Sequence, residues 1–308
     1  MSILGALSIE QFLSENWQRK PLLIRQALPD YTVPFSADEL AGLATQQEVE
    51  SRLVLEDAKT HSWQLRHGPF SETDFASLPP RMWSLLVQAI DLWVPEISTL
   101  LNEFDFLPRW RLDDVMGSFA VPGGGVGPHF DQYDVFLVQV EGQRRWRIGP
   151  MCDKNTPCIP GLDLKILRDF DSEQEWLLEP GDVLYVPPGI AHWGIAETQC
   201  MTFSVGFRAP SMADMLGDLA IELAAQDNDT HLTDPPMSGS MAQLEIDQEF
   251  IAHARRSMSQ LLKSDELIGD WFARYMTLPK YPDLLDQTQE RRRAKYAGRV
   301  YVNGEPEE

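Results

Sequence analysis

Between residues 110 and 210 the chain is cut into short segments rich in β-branched and aromatic residues. They read VMGSFAVP, DVFLVQVEG, RRWRIGP, EWLLEPGD, VLYVPPG and MTFSVGFRAP. Glycine, proline and aspartate punctuate them at close intervals. That pattern predicts an antiparallel all-β sandwich or barrel.

The flanks are different. Residues 8–20 predict a helix opened by a capping box of Ser8 and Gln11, with Ile9, Phe12 and Leu13 on one face. PLLIRQAL reads as a strand, and Ser36 with Glu39 opens a second helix. Residues 81–101 read as a longer amphipathic helix with Trp83, Leu86, Val87, Ile90 and Trp93 inward. After residue 210 a 3.6-residue period returns in SMADMLGDLAIELAAQ, behind Ser211 as cap. Residues 228–240 read as a loop, 241–276 as further helix, and the tail after 279 as loosely ordered. The fold class expected is α+β with a mainly β core and flanking helices. The boundaries expected are a β domain with its N-terminal helices over 1–210, a helical region over 211–280, and a tail over 281–308.

The chain has 308 residues, and its 43% hydrophobic content, with nine Trp and 14 Phe, can fill a large core. Its 26 basic and 47 acidic side chains give a net charge of -21. Such a surface repels phosphate backbones, which argues against broad nucleic-acid binding and favours a basic partner. The plainer account of the charge is solubility. Three cysteines make no disulfide framework, so a reducing compartment is expected. The N-terminus has no signal-peptide pattern, and no run of about 18 apolar residues suggests a membrane span. A cytoplasmic protein is expected.

One stretch concentrates the chemistry. GGGVGPHFDQYD places four glycines and a proline before His129, with Asp131 two residues on. On a strand, i and i+2 side chains share a face. An imidazole nitrogen beside a carboxylate oxygen suits a borderline divalent metal. EPGDVLYVPPGIAHWG supplies His192 after a Pro-Gly-Asp turn and a strand. The H-x-D…H set matches the two-histidine, one-carboxylate triad that leaves three positions of Fe(II) open for a bidentate co-substrate and dioxygen. The glycines would keep the metal's open face clear of side chains. H-x-D alone is a weak signal, and the plain alternative for His129 is a half-buried histidine bonded to a carbonyl.

A dicarboxylate co-substrate such as 2-oxoglutarate would need a cation inside the barrel. Arg144, Arg145 and Arg147 are the candidates, and alternation puts Arg144 on one face and the other two on the opposite one. Residue types alone leave open which set turns in. PGGGVG lacks the ending of a phosphate loop, and Cys152 and Cys158 lack zinc-ribbon spacing. RRRAK, at 291–295, reads as a solvated helix end or tail.

FAVPGGGVGPHFDQYDVF, LEPGDVLYVPPGIAH and FSVGFRAP together resemble the motifs of the bacterial ribosomal oxygenases of the JmjC, cupin-like class. The resemblance spans residues from about 8 to 280 and is nearest to the 2-oxoglutarate-dependent arginine hydroxylases of the sixteenth large-subunit ribosomal protein. It implies a double-stranded β-helix, or jelly roll, with His129, Asp131 and His192 on Fe(II). It implies that Arg144 turns inward to the distal carboxylate of 2-oxoglutarate, with Ser118 assisting. Asp114, Met116, Tyr133 and Ser204 match positions around the substrate arginine, where Asp114 can pair with a guanidinium and Met116 and Tyr133 can flank its stem. Core packing is the plain alternative for those last two.

The implied reaction uses dioxygen and 2-oxoglutarate to hydroxylate the arginine β-carbon, on a basic ribosomal protein. The helical region 211–276 is expected to form a homodimer through its apolar stripe, although it could simply cap the barrel. Family members continue into a winged-helix-like domain, of which RVYVNGE is the expected remnant. Two alternatives stand beside this reading: the same chemistry on histidine, lysine or RNA, and a metal-binding cupin module without turnover.

Overall fold

The computed structural model describes residues 2–57, 59–60, 62–162, 164–225, 231–236, 246–284 and 292–307. The chain divides into two compact units, Met1–Ala209 and Pro210–Glu308.

The first unit is built on strands. In chain order they are β1 (Leu22–Ile24), β2 (Ser51–Asp57), β3 (Ser62–His67), β4 (Trp83–Val87), β5 (Leu112–Ala120), β6 (Val135–Glu141), β7 (Arg144–Met151), β8 (Gln174–Leu178), β9 (Val183–Val186), β10 (Ile190–Ala196) and β11 (Cys200–Phe207). Eight form a large sheet in the order β1-β9-β6-β11-β5-β4-β2-β3, and β10-β7-β8 form a small one. Every pairing is antiparallel. Two such sheets face to face are the jelly-roll arrangement.

The central strands are apolar on both faces, and their partners explain why. On β6, Phe136, Val138 and Val140 join the cluster that also holds Phe12, Phe104 and Tyr185. Val135 and Leu137, pointing the other way, pack with Trp146, Ile148 and Leu184 between the sheets. A strand covered on both sides reads as an unbroken hydrophobic run rather than an alternating one. The outer cover comes from the N-terminal helices. α1 (Ile9–Glu15) starts with the Ser8–Gln11 capping box, and α2 (Ala37–Leu43) with the Ser36–Glu39 box, both as expected from the sequence. Phe12 of α1 meets Tyr185 edge-on at 5.1 Å between ring centroids.

Two buried carboxylates pin the turns. Asp182, in the Pro-Gly-Asp turn, accepts from the backbone N–H of Glu179 (3.1 Å) and Gln26 (2.9 Å) and from Arg25 Nη1 (2.6 Å). It thereby closes the turn before β9 and clamps the end of β1 to it. Asp134, at the mouth of β6, accepts from Tyr185 Oη (2.6 Å) and Gln18 Nε2 (3.0 Å). Burial pushes its carboxyl up from the usual range, against the lowering effect of those donors.

The expected helix over 81–101 is not formed. Residues 83–87 are β4, and only then come the short α4 (Ile90–Trp93) and α5 (Ile97–Leu101), after α3 (Glu72–Ala76) earlier in the chain. Trp83, Leu86, Val87 and Ile90 fit a helical spacing by coincidence. Met82 and Ala89 have left-handed backbones (φ 68° and 52°), which fence the strand off at both ends. In the strand, Leu85 and Val87 join the outer cluster while Ser84 and Leu86 point the other way.

In the second unit, α6 (Met212–Ala225), α7 (Gln248–Leu261) and α8 (Asp265–Thr277) realise the returning helical period. The expected loop at 228–240 lies mostly outside the described residues. The tail differs from expectation. β12 (Arg293–Tyr296), β13 (Arg299–Val302) and β14 (Glu305–Pro306) form a small antiparallel sheet. It is tied to α8, since Tyr301 Oη donates to Asp270 Oδ1 (2.5 Å) and Tyr296 Oη to the Asp265 carbonyl (2.7 Å). Arg293, Ala294 and Lys295 of RRRAK therefore lie in a strand of the tail, not at a helix end.

Candidate metal centre

The segment carrying His129 lies against β10 as a single two-residue bridge. His129 N–H donates to the His192 carbonyl (3.0 Å) and His192 N–H to the His129 carbonyl (2.8 Å). This pairing brings two histidines that are remote in sequence to a centroid separation of 4.3 Å. Each ring is oriented from behind: Nδ1 of His129 lies 2.9 Å from the Gly127 carbonyl, and Nδ1 of His192 lies 3.0 Å from the Ile190 carbonyl. A neutral imidazole that donates from Nδ1 presents its Nε2 lone pair, the state a metal requires. Asp131 completes the set, with Oδ2 3.6 Å from His192 Nε2. One ligand atom from each of the three lies within 4.8 Å of the others. His192 is buried, and loss of solvation, then the neighbouring His129, pulls its pKa down to about 4. It stays neutral and ready to ligate at physiological pH.

The glycines also serve the backbone: Gly123 and Gly127 adopt positive φ (81° and 78°), and Gly125 lines the cavity. A Cβ on Gly125 would sit 2.4 Å from the Gly194 carbonyl oxygen, and one on Gly124 would sit 2.1 Å from that of Trp83. They let the loop lie directly on β10 and β4. The close approach that presents His129 requires them.

The three residues face a cavity of about 340 Å³ between the two sheets. Arg144 turns into it and is 5% exposed, while Arg145 and Arg147 turn out to Glu175 and Glu197. Arg144 Nη1 donates to Ser118 Oγ (3.2 Å), which in turn donates to the Thr202 carbonyl (3.1 Å). Nε and Nη2 of Arg144 find no hydrogen-bond partner among the described residues, and neither do the buried Ser84 Oγ and Trp146 Nε1 that line the same cavity. Buried donors left unpaired on this scale are rare unless a ligand answers them.

The other expected residues gather at one side of the cavity. Met116, Tyr133 and Ser204 line it, with Met116 and Ser204 directly paired across β5 and β11. Asp114 is buried beside them. A Cβ on Gly206 would lie 3.9 Å from both Asp114 Oδ1 and the Tyr133 ring, so these two side chains flank one spot. Partial burial, then the carboxylates of Asp131 and Asp114, pushes the Tyr133 phenol well above its usual range. It remains a neutral hydroxyl.

Among the lining residues not anticipated are the polar or aromatic Arg52, Ser84, Gln88, Trp146 and Lys165. Ser84 and Gln88 were hidden by reading their segment as a helix. As part of a strand with alternating faces, Ser84 and Leu86 would have been seen to share the face of their neighbours on β5.

A jelly roll with a two-histidine, one-aspartate cluster facing an interior cavity is the arrangement of a cupin-type, non-heme iron oxygenase, and the JmjC domain model matches residues 99–215, which hold that cluster. The chain is 39% identical over 277 residues to the ribosomal protein uL16 3-hydroxylase of Escherichia coli (strain K12), covering 89% of this chain and 73% of that one. It is 40% identical over 258 residues to a probable ribosomal oxygenase of Haemophilus influenzae, covering 82% of this chain and 63% of the other. The structure of YcfD, a ribosomal oxygenase from Escherichia coli in complex with cobalt and 2-oxoglutarate, superposes with a TM-score of 0.84 at 34% identity, over 98% of this chain and 86% of that one. The chain belongs to the ribosomal oxygenase family of JmjC proteins.

Proposed function

We propose that the protein is an Fe(II)- and 2-oxoglutarate-dependent oxygenase that hydroxylates the β-carbon of an arginine in a large-subunit ribosomal protein. One observation carries the reading: a three-ligand cluster and a buried arginine with unanswered donors share a single cavity. That donor set fits the cofactors. His129, Asp131 and His192 would hold the iron, and two neutral imidazoles with one carboxylate leave it a net positive charge. Arg144, supported by Ser118, would hold the distal carboxylate, because its unpaired Nε and Nη2 offer a two-pronged match. Iron with 2-oxoglutarate and dioxygen supplies the oxidising power, one oxygen atom entering the substrate and the other the succinate that forms with carbon dioxide.

The chain's own residues bind and position. Asp114 pairs with the substrate guanidinium, Met116 and Tyr133 flank its aliphatic stem, and Ser204 lines the same side. No side chain has to move a proton for the chemistry, so the protein's work is orientation and the exclusion of water. The cation-seeking Asp114 favours arginine over a neutral histidine, and the net charge of -21 disfavours RNA. A metal-binding module without turnover would have no need for a buried, half-paired arginine.

Incubation with Fe(II), labelled 2-oxoglutarate and an arginine-containing ribosomal-protein peptide tests the reading. Succinate and a peptide gain of one oxygen are expected. No succinate above background, with the metal bound, would overturn it. Mass mapping of ribosomal proteins with and without the enzyme identifies the residue modified.

The second unit is proposed to dimerise. Met212, Leu216 and Ile221 of α6 and Met258 of α7 are exposed apolar side chains. A monomer by sedimentation at micromolar concentration would remove this assignment. A cytoplasmic location is in keeping with a ribosomal-protein substrate, and no helix among the described residues is long and apolar enough to cross a membrane.

A further inference from the structure

A cation lines the cavity that the proposed function gives to a cationic side chain, and one amide stands between the two roles. Arg52, on β2, reaches the cavity beside Met116, with Nη2 3.9 Å from its sulfur. The same nitrogen donates to Gln88 Oε1 at 3.1 Å. Gln88 Nε2 donates in turn to Asp114 Oδ2 at 2.8 Å. Chemistry determines the amide's orientation. A guanidinium has donors only and a carboxylate acceptors only, so a flipped amide would break both bonds.

We propose that Gln88 is a positioning residue that makes the pocket selective for a guanidinium over an ammonium group. This inference rests on the arginine reading above. Gln88 acts in two ways. It holds one edge of the Asp114 carboxylate, which sets the plane in which that carboxylate meets an incoming group. It also occupies the space through which Arg52 would otherwise pair with Asp114 directly. A guanidinium gains its second hydrogen bond only when its plane and that of the carboxylate agree. An ammonium is a point charge with rotatable donors and is indifferent to that plane. Releasing Asp114 therefore costs an arginine substrate more than a lysine one. Arg52, held to Gln88, keeps its remaining donors at the cavity for main-chain carbonyls of the bound peptide.

The test uses the full chain and two variants. Gln88→Met keeps the bulk and loses both bonds. Gln88→Glu keeps an acceptor for Arg52 and loses the donor to Asp114. KM and kcat are measured for a ribosomal-protein peptide with its target arginine, and the same peptide with lysine is measured as a competitor. Binding of 2-oxoglutarate, titrated with Mn(II) in the absence of oxygen, reports whether the rest of the cavity is intact. In both variants KM for the arginine peptide is expected to rise by about tenfold or more, the loss of one hydrogen bond to a charged group. The inhibition constant of the lysine peptide should move by less than about threefold, so the preference narrows. Adding Arg52→Ala to Gln88→Met should restore part of the arginine affinity.

An unchanged preference, whether both constants rise together or neither moves, overturns the inference even with 2-oxoglutarate binding retained. A cavity that no longer binds 2-oxoglutarate in either variant also overturns it, since Gln88 would then be holding the barrel together. A wild-type protein that binds 2-oxoglutarate but modifies no arginine peptide sinks the arginine reading instead, a separate failure.

Discussion

Protonation of His192 couples folding to acidity. Its folded pKa is about 4 against an ordinary 6.5, so the native state favours the neutral ring. Stability from this group is complete above about 6.5 and is lost as the pH falls through that value toward 4. The metal-free protein should therefore lose melting temperature across that window more steeply than a His192→Gln variant, whose residual slope reports the carboxylates. Arg144 supplies a second prediction. Arg144→Met should weaken 2-oxoglutarate binding by about 30-fold or more, the scale of a lost buried charged contact. Metal binding, followed in the same titration, should remain. At this scale the H-x-D pair and His192 were legible from residue type and spacing, but not for the reason expected: His129 and Asp131 lie on no strand, and the isolated bridge from His129 to His192 of β10 brings the set together. Alternation split the three arginines into two sets, and the family motifs assigned the inward one. Gln88 and Arg52 gave no signal, since nothing in a glutamine or a lone arginine marks a cavity until the strand bearing it is known.

Elements were legible where local chemistry writes them. Ser8–Gln11 and Ser36–Glu39 start helices by reciprocal hydrogen bonds that any sequence can encode. β4 was not legible, because its borders are made by Met82 and Ala89 at positive φ, residues that carry no preference for that backbone. The tail sheet was hidden for a related reason. Its strands are only two to four residues long, and what orders them is Tyr296 and Tyr301 reaching back to α8. The Pro-Gly-Asp turn offers a test at this level. Asp182 is buried and accepts two backbone donors as well as Arg25, so Asp182→Ala strands those N–H groups. Denaturant unfolding should show a loss of about 1–3 kcal/mol. The unfolding slope should be unchanged, since the surface exposed is the same.

The whole molecule contributes through its charge. At -21 it draws a basic polypeptide from a distance of about one Debye length, roughly 10 Å at 0.1 M salt. Raising salt from low to physiological strength should lower kcat/KM for a basic peptide while leaving kcat nearly constant. The KM for 2-oxoglutarate should not rise in parallel, because its proposed anchor, Arg144, is buried and its charge is of the opposite sign. A kcat/KM for the peptide that ignores salt would show that the acidity serves only solubility.

The reciprocal backbone bonds between His129 and His192, with both rings held from behind by carbonyls, fix the two imidazoles through the main chain. A set of two nitrogens and an oxygen admits several first-row divalent cations, and intrinsic affinity ranks copper, nickel and cobalt above ferrous iron. Occupancy is thus decided by supply. The activity of a preparation should follow the history of its exposure to metals more closely than the quantity of folded polypeptide, and inert congeners should act as slow, tight poisons that chelation followed by fresh iron reverses.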